Sequence, residues 1–308
     1  MSPVSRIGLY IGVTAITKRL RNVLITVAVV ASISVLLLGF AIAETMTLEI
    51  KTDRINTRLA RVEDVTMEHW AALSQKKIFF AHTELGNEII DGMKAIMTEH
   101  DYIRLNIAET ADPTAFDRPT FAHAQAGRCM DPDSKISHFK DLLNAGLGQR
   151  VSVACLKFCY NDVIWESDAH AIFRNYQKMV EQLKSSYPNV KFLHVTVPIC
   201  SRPSGSKKIL RESVKLLAGR PSIFDDNVRR AQYNDFLRAA YSQTEAVFDL
   251  ALLESIDPHG FRCYTRTRGI EKVPAKAPQY SVGSAHFNTE GRKIIAEQLL
   301  TALAEMAE

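Results

Sequence analysis

From Asn22 to Ala43 the chain carries no charged side chain, reading NVLITVAVVASISVLLLGFAIA. A helix rises 1.5 Å per residue, so about 20 apolar residues cross the hydrocarbon core of a bilayer, and this run is long enough. A helix buried in a protein core seldom goes so far without a charge. Ala41-Ile42-Ala43 fits a small-x-small cleavage site, yet the run exceeds the roughly 7–15 apolar residues usual in a secretory signal. A retained anchor and a cleaved signal therefore both remain open. Either one leaves residues 1–21 as a basic cytoplasmic tail and sends everything from residue 44 out of the cytoplasm. The expected location is a cell (inner) membrane, crossed once.

Charge placement supports this division. The formal net charge is +4, and residues 1–43 hold Arg6, Lys18, Arg19 and Arg21 without an acid. Setting those four aside leaves 34 basic against 34 acidic side chains. A domain with no net charge lacks the basic footprint that nucleic acid requires, so no nucleic-acid partner is expected.

Residues 44–75 are highly charged, with Leu48, Ile55, Leu59 and Val62 at helical intervals. They are expected to form a helical stalk; Leu48, Ile55 and Val62 are too few heptads for a coiled coil. Beyond residue 75, apolar runs alternate with helical patterns. Strands are expected at Lys77–Ala81, 103–109, Arg150–Phe158, Val190–Val197 and Ala246–Ala251. Helices are expected after Ala81 (Ile89, Ile90, Met93, Ile96 and Met97 on one face) and over 168–185, 226–242 and 289–307. Strands separated by helices pair in parallel. The expected fold is a three-layer α/β/α sandwich over 76–308, around a mainly parallel five-stranded sheet. The stretches 202–224 and 256–282 read as long loops, which in such sheets gather near the crevice at the strands' carboxyl ends.

The five cysteines are Cys129, Cys155, Cys159, Cys200 and Cys263. Cys155 and Cys159 lie along one expected strand, roughly 13 Å apart, too far for a bridge. No Cys/His spacing suits zinc, so small buried hydrophobes are the plain reading, with no metal and no cofactor expected. His194 sits in a strand interior and reads as a core histidine. Ser204-Gly-Ser-Lys207 fits Ser-x-x-Lys only by chance, lacking the supporting strand and helix.

Four separated blocks carry chemistry. They are Phe80-Ala-His82-Thr-Glu84-Leu-Gly86, Gln125-Ala-Gly127-Arg-Cys-Met-Asp-Pro132, Cys159-Tyr-Asn161-Asp162, and Gly283-Ser-Ala-His286 followed by Asn288 and Gly291. In order and spacing they resemble the SGNH (GDSL-like) hydrolase superfamily, in particular a branch whose first block reads Phe-x-His-x-Ser-Val-Gly. Asn227-x-x-Arg230-x-x-Tyr233-Asn234 and Phe248-Asp-Leu-Ala251 resemble the same branch, and the likeness covers roughly residues 76–305.

The resemblance implies a flavodoxin-like SGNH fold and an ester hydrolase or acyltransferase. His286 would be its base, and Asn161 and Gly127 its oxyanion donors. Acyl or acetyl esters, plausibly on carbohydrate, would be its substrates. Two positions depart from the pattern: Glu84 stands where serine is the nucleophile, and Gly283 where an aspartate orients the histidine. Glu84 admits three readings: inert residue in a dead site, general base or ligand contact, or metal ligand with His82 nearby. A non-catalytic descendant, serving as a carbohydrate-binding or scaffolding module at the cell surface, is the alternative function. Oligomeric state is not legible.

Overall fold

The computed structural model describes the backbone of residues 3–46, 50–55 and 57–307. The side chains of Arg6 and Lys18 in the expected tail, and Leu48 in the expected stalk, lie outside the described residues. In chain order the elements are α1 (Pro3–Met46), β1 (Lys51–Arg54), α2 (Met67–Ser74), β2 (Lys77–His82), α3 (Glu84–Glu99), β3 (Ile107–Glu109), β4 (Thr120–Gln125), α4 (Pro132–Asn144), β5 (Val153–Leu156), α5 (Ala169–Ser186), β6 (Lys191–Phe192), β7 (His194–Val195), α6 (Ser206–Leu217), α7 (Ile223–Tyr241), β8 (Val247–Phe248), α8 (Leu250–Leu253), β9 (Phe261–Thr267), β10 (Ile270–Pro274), β11 (Ser281–Val282), β12 (His286–Phe287) and α9 (Thr289–Glu305). They fall into two compact units. One joins Met1–Thr47 to Ser206–Arg220; the other comprises Leu48–Gly205 and Pro221–Glu308.

The larger unit is built on a five-stranded sheet ordered β3-β4-β2-β5-β6, with every neighbouring pair parallel. Leu193 carries the chain from β6 into β7, which pairs in parallel with β8. Side chains on β2 alternate between two cores. Ile78 and Phe80 join the helices α2, α3 and α9, while Phe79 and Ala81 join α4, α5 and α7. Strands buried on both faces read as continuous apolar runs, and this sheet is covered on both sides. The α/β three-layer architecture with a parallel five-stranded sheet is thus the one observed.

Three local expectations are corrected. Among the described residues of the segment expected as a helical stalk over 44–75, the chain is not one continuous helix. β1 pairs antiparallel with β9, Val62, Trp70 and Leu73 are buried in the α9-side core, and a separate helix forms at Met67–Ser74. Val62 serves the α9-side core, so the helical spacing of Ile55, Leu59 and Val62 does not mark a helix face. The expected loop 256–282 contains the β9–β10 pair. The expected loop 202–224 contains α6.

α1 includes a span, Arg19–Ala43, that is long and apolar enough by composition to cross a membrane. Within its unit α1 packs against α6. All five cysteines are unbridged and four are buried. His194 is a satisfied core histidine, stacked on Tyr241 at 3.6 Å and bonded to Tyr176 Oη at 2.8 Å.

Candidate active site

The carboxyl ends of β2, β4 and β5 lie side by side, and each leads into one of the sequence blocks. β2 ends at His82; Thr83 turns the chain and Glu84 opens α3. His82 is buried, and burial pushes its pKa down to about 4, with His123 and Lys157 nearby adding to the shift. A neutral imidazole has one donor nitrogen and one acceptor. Nδ1 faces the Thr83 carbonyl at 2.9 Å, so it carries the proton; Nε2 then accepts from His123 Nδ1 at 3.0 Å. Both nitrogens are spent, which leaves His82 no lone pair for a metal. A Cβ at Gly86 would fall 2.1 Å from the His82 ring, so only glycine lets α3 start here. The Thr83 hydroxyl is buried and has no hydrogen-bond partner among the described residues.

Beyond β5, a short turn at Tyr160–Asp162 is fastened from below. Asp162 Oδ2 accepts the Cys159 N–H at 2.6 Å and the fully buried Lys135 Nζ at 2.5 Å. Arg230 Nε donates to the Tyr160 and Val163 carbonyls, at 2.9 and 3.1 Å, and its Nη1 donates to Asn227 Oδ1 at 2.7 Å. Asn227 in turn bonds both backbone groups of Cys200, and Asn234 both those of Val197. The Asn227/Arg230/Asn234 block therefore clamps the strand ends and contributes no group to chemistry. Burial above all raises the Tyr160 phenol to about 12, with the neighbouring Asn161 side chain opposing the rise. Glu84 contributes to that rise, so its carboxylate lies within electrostatic reach of Tyr160.

Gly127 follows β4 with φ +62°, and a Cβ there would meet the Lys135 backbone at 2.6 Å. Its N–H donates to His138 Nδ1 at 2.9 Å. The donor expected at Gly127 is thus committed to a side chain of α4.

His286 sits on β12, whose partner is β11, with Val282 opposite His286. Gly283 makes the turn between them at φ +72°, a left-handed conformation that disfavours aspartate far more than glycine. The missing carboxylate comes instead from α3. Glu88 Oε1 bonds His286 Nδ1 at 2.7 Å, and Glu88 Oε2 accepts the Phe287 N–H at 2.7 Å. Close helix packing makes this reach possible: a Cβ on Gly92 would lie 2.2 Å from the Arg292 carbonyl oxygen, so glycine lets the start of α9 approach α3.

The carbonyl before His286 is held as well. Lys276 Nζ, wholly buried, bonds the Ala285 carbonyl, pairs with Glu254 Oε2 at 3.0 Å and lies 4.0 Å over the Phe287 ring. Asn288 caps α9 through the Gly291 N–H at 2.8 Å.

Glu84 and Glu88 are one helical turn apart on the same face of α3, a spacing of about 6 Å between Cβ atoms. The Tyr160 ring stands edge-on to His286 at 6.4 Å. Glu88 and Tyr160 therefore both neighbour His286, and Glu84 lies one helical turn from Glu88. Glu88, Lys276 and Thr83 were not singled out by the sequence. An acid inside an amphipathic helix and a lysine in Pro274-Ala-Lys276-Ala277 look like surface residues until the fold buries them. A cavity of about 490 Å³ lined by Leu59, Asp257, Tyr280 and Glu290 includes neither Glu84 nor His286. Among the described residues no group of three metal-ligating side chains occurs.

No protein-family model matches the chain, and no curated protein matches it at a significant level. Among solved structures it is similar to a protein from Streptococcus pneumonia named as a platelet activating factor, with a TM-score of 0.43 and 12% identity over 78% of this chain and 92% of that one. It is also similar to a lipolytic protein named to the G-D-S-L family from Desulfitobacterium hafniense DCB-2 (0.42, 9%, covering 74% and 99%). A GDSL-like lipase from Parabacteroides merdae ATCC 43184 gives 0.41 and 9%, covering 77% and 99%. Two of these names fall in the superfamily that the four sequence blocks resemble. Likeness at this distance bears on neither the activity nor the substrate of this chain.

Proposed function

We propose that the chain is a membrane-anchored, extracytoplasmic ester hydrolase of SGNH-like lineage that activates water directly rather than through a covalent acyl-enzyme. The observation that carries this reading is the 2.7 Å contact between Glu88 Oε1 and His286 Nδ1. A carboxylate on Nδ1 fixes the tautomer with the proton there and leaves Nε2 as the free base. His286 is 38% exposed at its side chain, so a water can reach it. A histidine kept only by inertia has no need of a carboxylate that compensates for Gly283.

Glu84 cannot act as serine does, since a carboxylate attacking an ester would make a mixed anhydride. Beside His286 it holds the attacking water by one hydrogen while Nε2 takes the other. The first backbone N–H groups of α3 lack intrahelical acceptors and carry the positive end of the helix dipole, which suits a developing oxyanion. General-base help is worth about 10²–10⁴-fold, against roughly 10⁶ for an intact triad, so a slow enzyme is the expected result. The Thr83 hydroxyl is a poorer nucleophile candidate because it is sealed from solvent. Acyl or acetyl esters on cell-surface carbohydrate are the proposed substrates, following the resemblance of the four blocks.

A non-catalytic binding module is favoured by one observation: an expected oxyanion donor, the Gly127 N–H, is already engaged with His138. Mass spectrometry of the full chain during p-nitrophenyl acetate hydrolysis separates the readings. Direct water attack gives turnover with no acetylated protein, while Glu84→Ser accumulates a single acetyl group. An acetylated parent would overturn the water mechanism, and a parent without turnover would favour the binding module. A C-terminal reporter that works only outside the cytoplasm should be active; a silent one would refute export.

A further inference from the structure

α6 interrupts the larger unit between Gly205 and Pro221, and its sequence from Ser206 to Arg220 holds Lys207, Lys208, Arg211, Lys215 and Arg220 against a single acid, Glu212. At 100° per residue, Ile209, Leu210, Ser213, Val214, Leu216 and Leu217 fall on one side of the helix, and Lys207, Lys208, Arg211, Glu212 and Lys215 on the other. α6 packs on α1, and the buried small residues Ala41 and Ser213 suit a close crossing near the end of the Arg19–Ala43 span. That packing uses only part of the apolar side. Leu210, Val214 and Leu217, spaced i, i+4 and i+7, remain 46%, 52% and 47% exposed.

Four uncovered aliphatic side chains, Leu216 among them at 45% exposed, flanked by basic residues at the end of an apolar span, match a helix lying in the headgroup layer of a bilayer. We infer that α6 is an interfacial helix, inserting Leu210, Val214 and Leu217 among acyl chains and setting Lys207, Lys208 and Arg211 against anionic headgroups, while Lys215 pairs with Glu212 at 2.9 Å. The inference rests on α1 crossing the membrane. Charge selects the lipid: basic side chains next to an anionic surface gain attraction that a zwitterionic surface does not give. The chain would then grip its bilayer with two elements, a span and a surface helix packed against it. Apolar side chains that would promote aggregation in water are covered by lipid instead.

The test uses the full chain with Cys129, the exposed thiol, changed to Ser. Single cysteines Leu217→Cys, Lys208→Cys and Ile33→Cys are labelled with an environment-sensitive fluorophore, in vesicles of phosphatidylcholine alone or mixed with phosphatidylglycerol. The expected result is a blue-shifted label at 217 that shallow spin-labelled lipid quenches, a water-like label at 208 and a deeply buried label at 33. Contact at 217 should strengthen with phosphatidylglycerol, and each of K207Q, K208Q and R211Q should weaken that gain by up to about fivefold. A water-like label at 217 with a buried label at 33 overturns the inference while leaving the anchor intact. Water-like labels at both positions refute the membrane reading of α1 itself. A blue-shifted label at 217 that lipid does not quench, in a dimeric chain, overturns the inference in favour of a second copy.

Discussion

Glu88 and His286, 198 positions apart, meet in a 2.7 Å contact that restores to the imidazole the carboxylate its own loop lacks. The second oxygen of Glu88 is taken by the Phe287 N–H, so the acid is held at both ends. In Glu88→Gln an amide NH₂ must face either the Phe287 N–H or the protonated Nδ1, and donor meets donor. The expected outcome is a fall in kcat of about 10²–10⁴-fold with KM little changed, as befits loss of the correct tautomer. Steady-state kinetics on p-nitrophenyl acetate decide it; unchanged kcat would make Glu88 merely structural.

Gly92 should matter for a related reason. A methyl group there would meet the Arg292 carbonyl at 2.2 Å and push α9 away from α3. Gly92→Ala is expected to cost about 1–3 kcal/mol in urea unfolding, the usual range for overpacking. Activity should fall as well, because the shift separates Glu88 from His286. Full stability with full activity would contradict this account of how the helices bring the pair together.

The buried His82 makes an acid-stability prediction. Its folded pKa, about 4, lies below the unfolded value near 6.5, so the unfolded chain binds the proton more readily between those values. Stability from this group is complete above about pH 6.5 and is lost as pH falls toward 4, by roughly 3 kcal/mol in all. Urea midpoints measured from pH 7 to 4.5 should fall for the parent and fall less steeply for His82→Gln. Parallel slopes would show that His82 is not the titrating group.

Lys157 is fully buried, and burial pushes its pKa down to about 8, with neighbouring Glu254 and Asp162 opposing the shift. Glu254 and Asp162 already have Lys276 and Lys135 as partners, so Lys157 is a third cation in a cluster with two acids. Its folded pKa is below the unfolded value of about 10.5, so its destabilising effect is full below pH 8 and fades as pH rises. Lys157→Met should stabilise the chain at pH 7 by about 1–3 kcal/mol and remove the alkaline rise. A large loss of stability would show that its 3.1 Å bond to the Phe158 carbonyl outweighs the buried charge.

Much of the fold was legible because its strands are short apolar runs and its helices have clear faces. β4 escaped notice: Thr120-Phe-Ala-His-Ala-Gln125 mixes small and polar residues, and its His123 earns burial only by bonding His82. α6 was hidden by the Pro, Gly and Ser around it, although its own pattern is strongly amphipathic. At the site, the sequence singled out Glu84, Asn161 and His286, because each follows a strand end or precedes the last helix. It missed Glu88 and Lys276, since tertiary proximity across α3, α9 and the β11–β12 hairpin leaves no local pattern. The packing of Val62, Trp70 and Leu73 also means that a fragment starting at residue 76 would lose part of its core.

The most direct test compares kcat/KM of the full chain with that of His286→Ala on p-nitrophenyl acetate, both in the same lipid vesicles. Removal of the base from an intact Glu88–His286 pair should lower it by about 10²–10⁴-fold. Equal rates in the two proteins would contradict the claim that this histidine draws the proton from water.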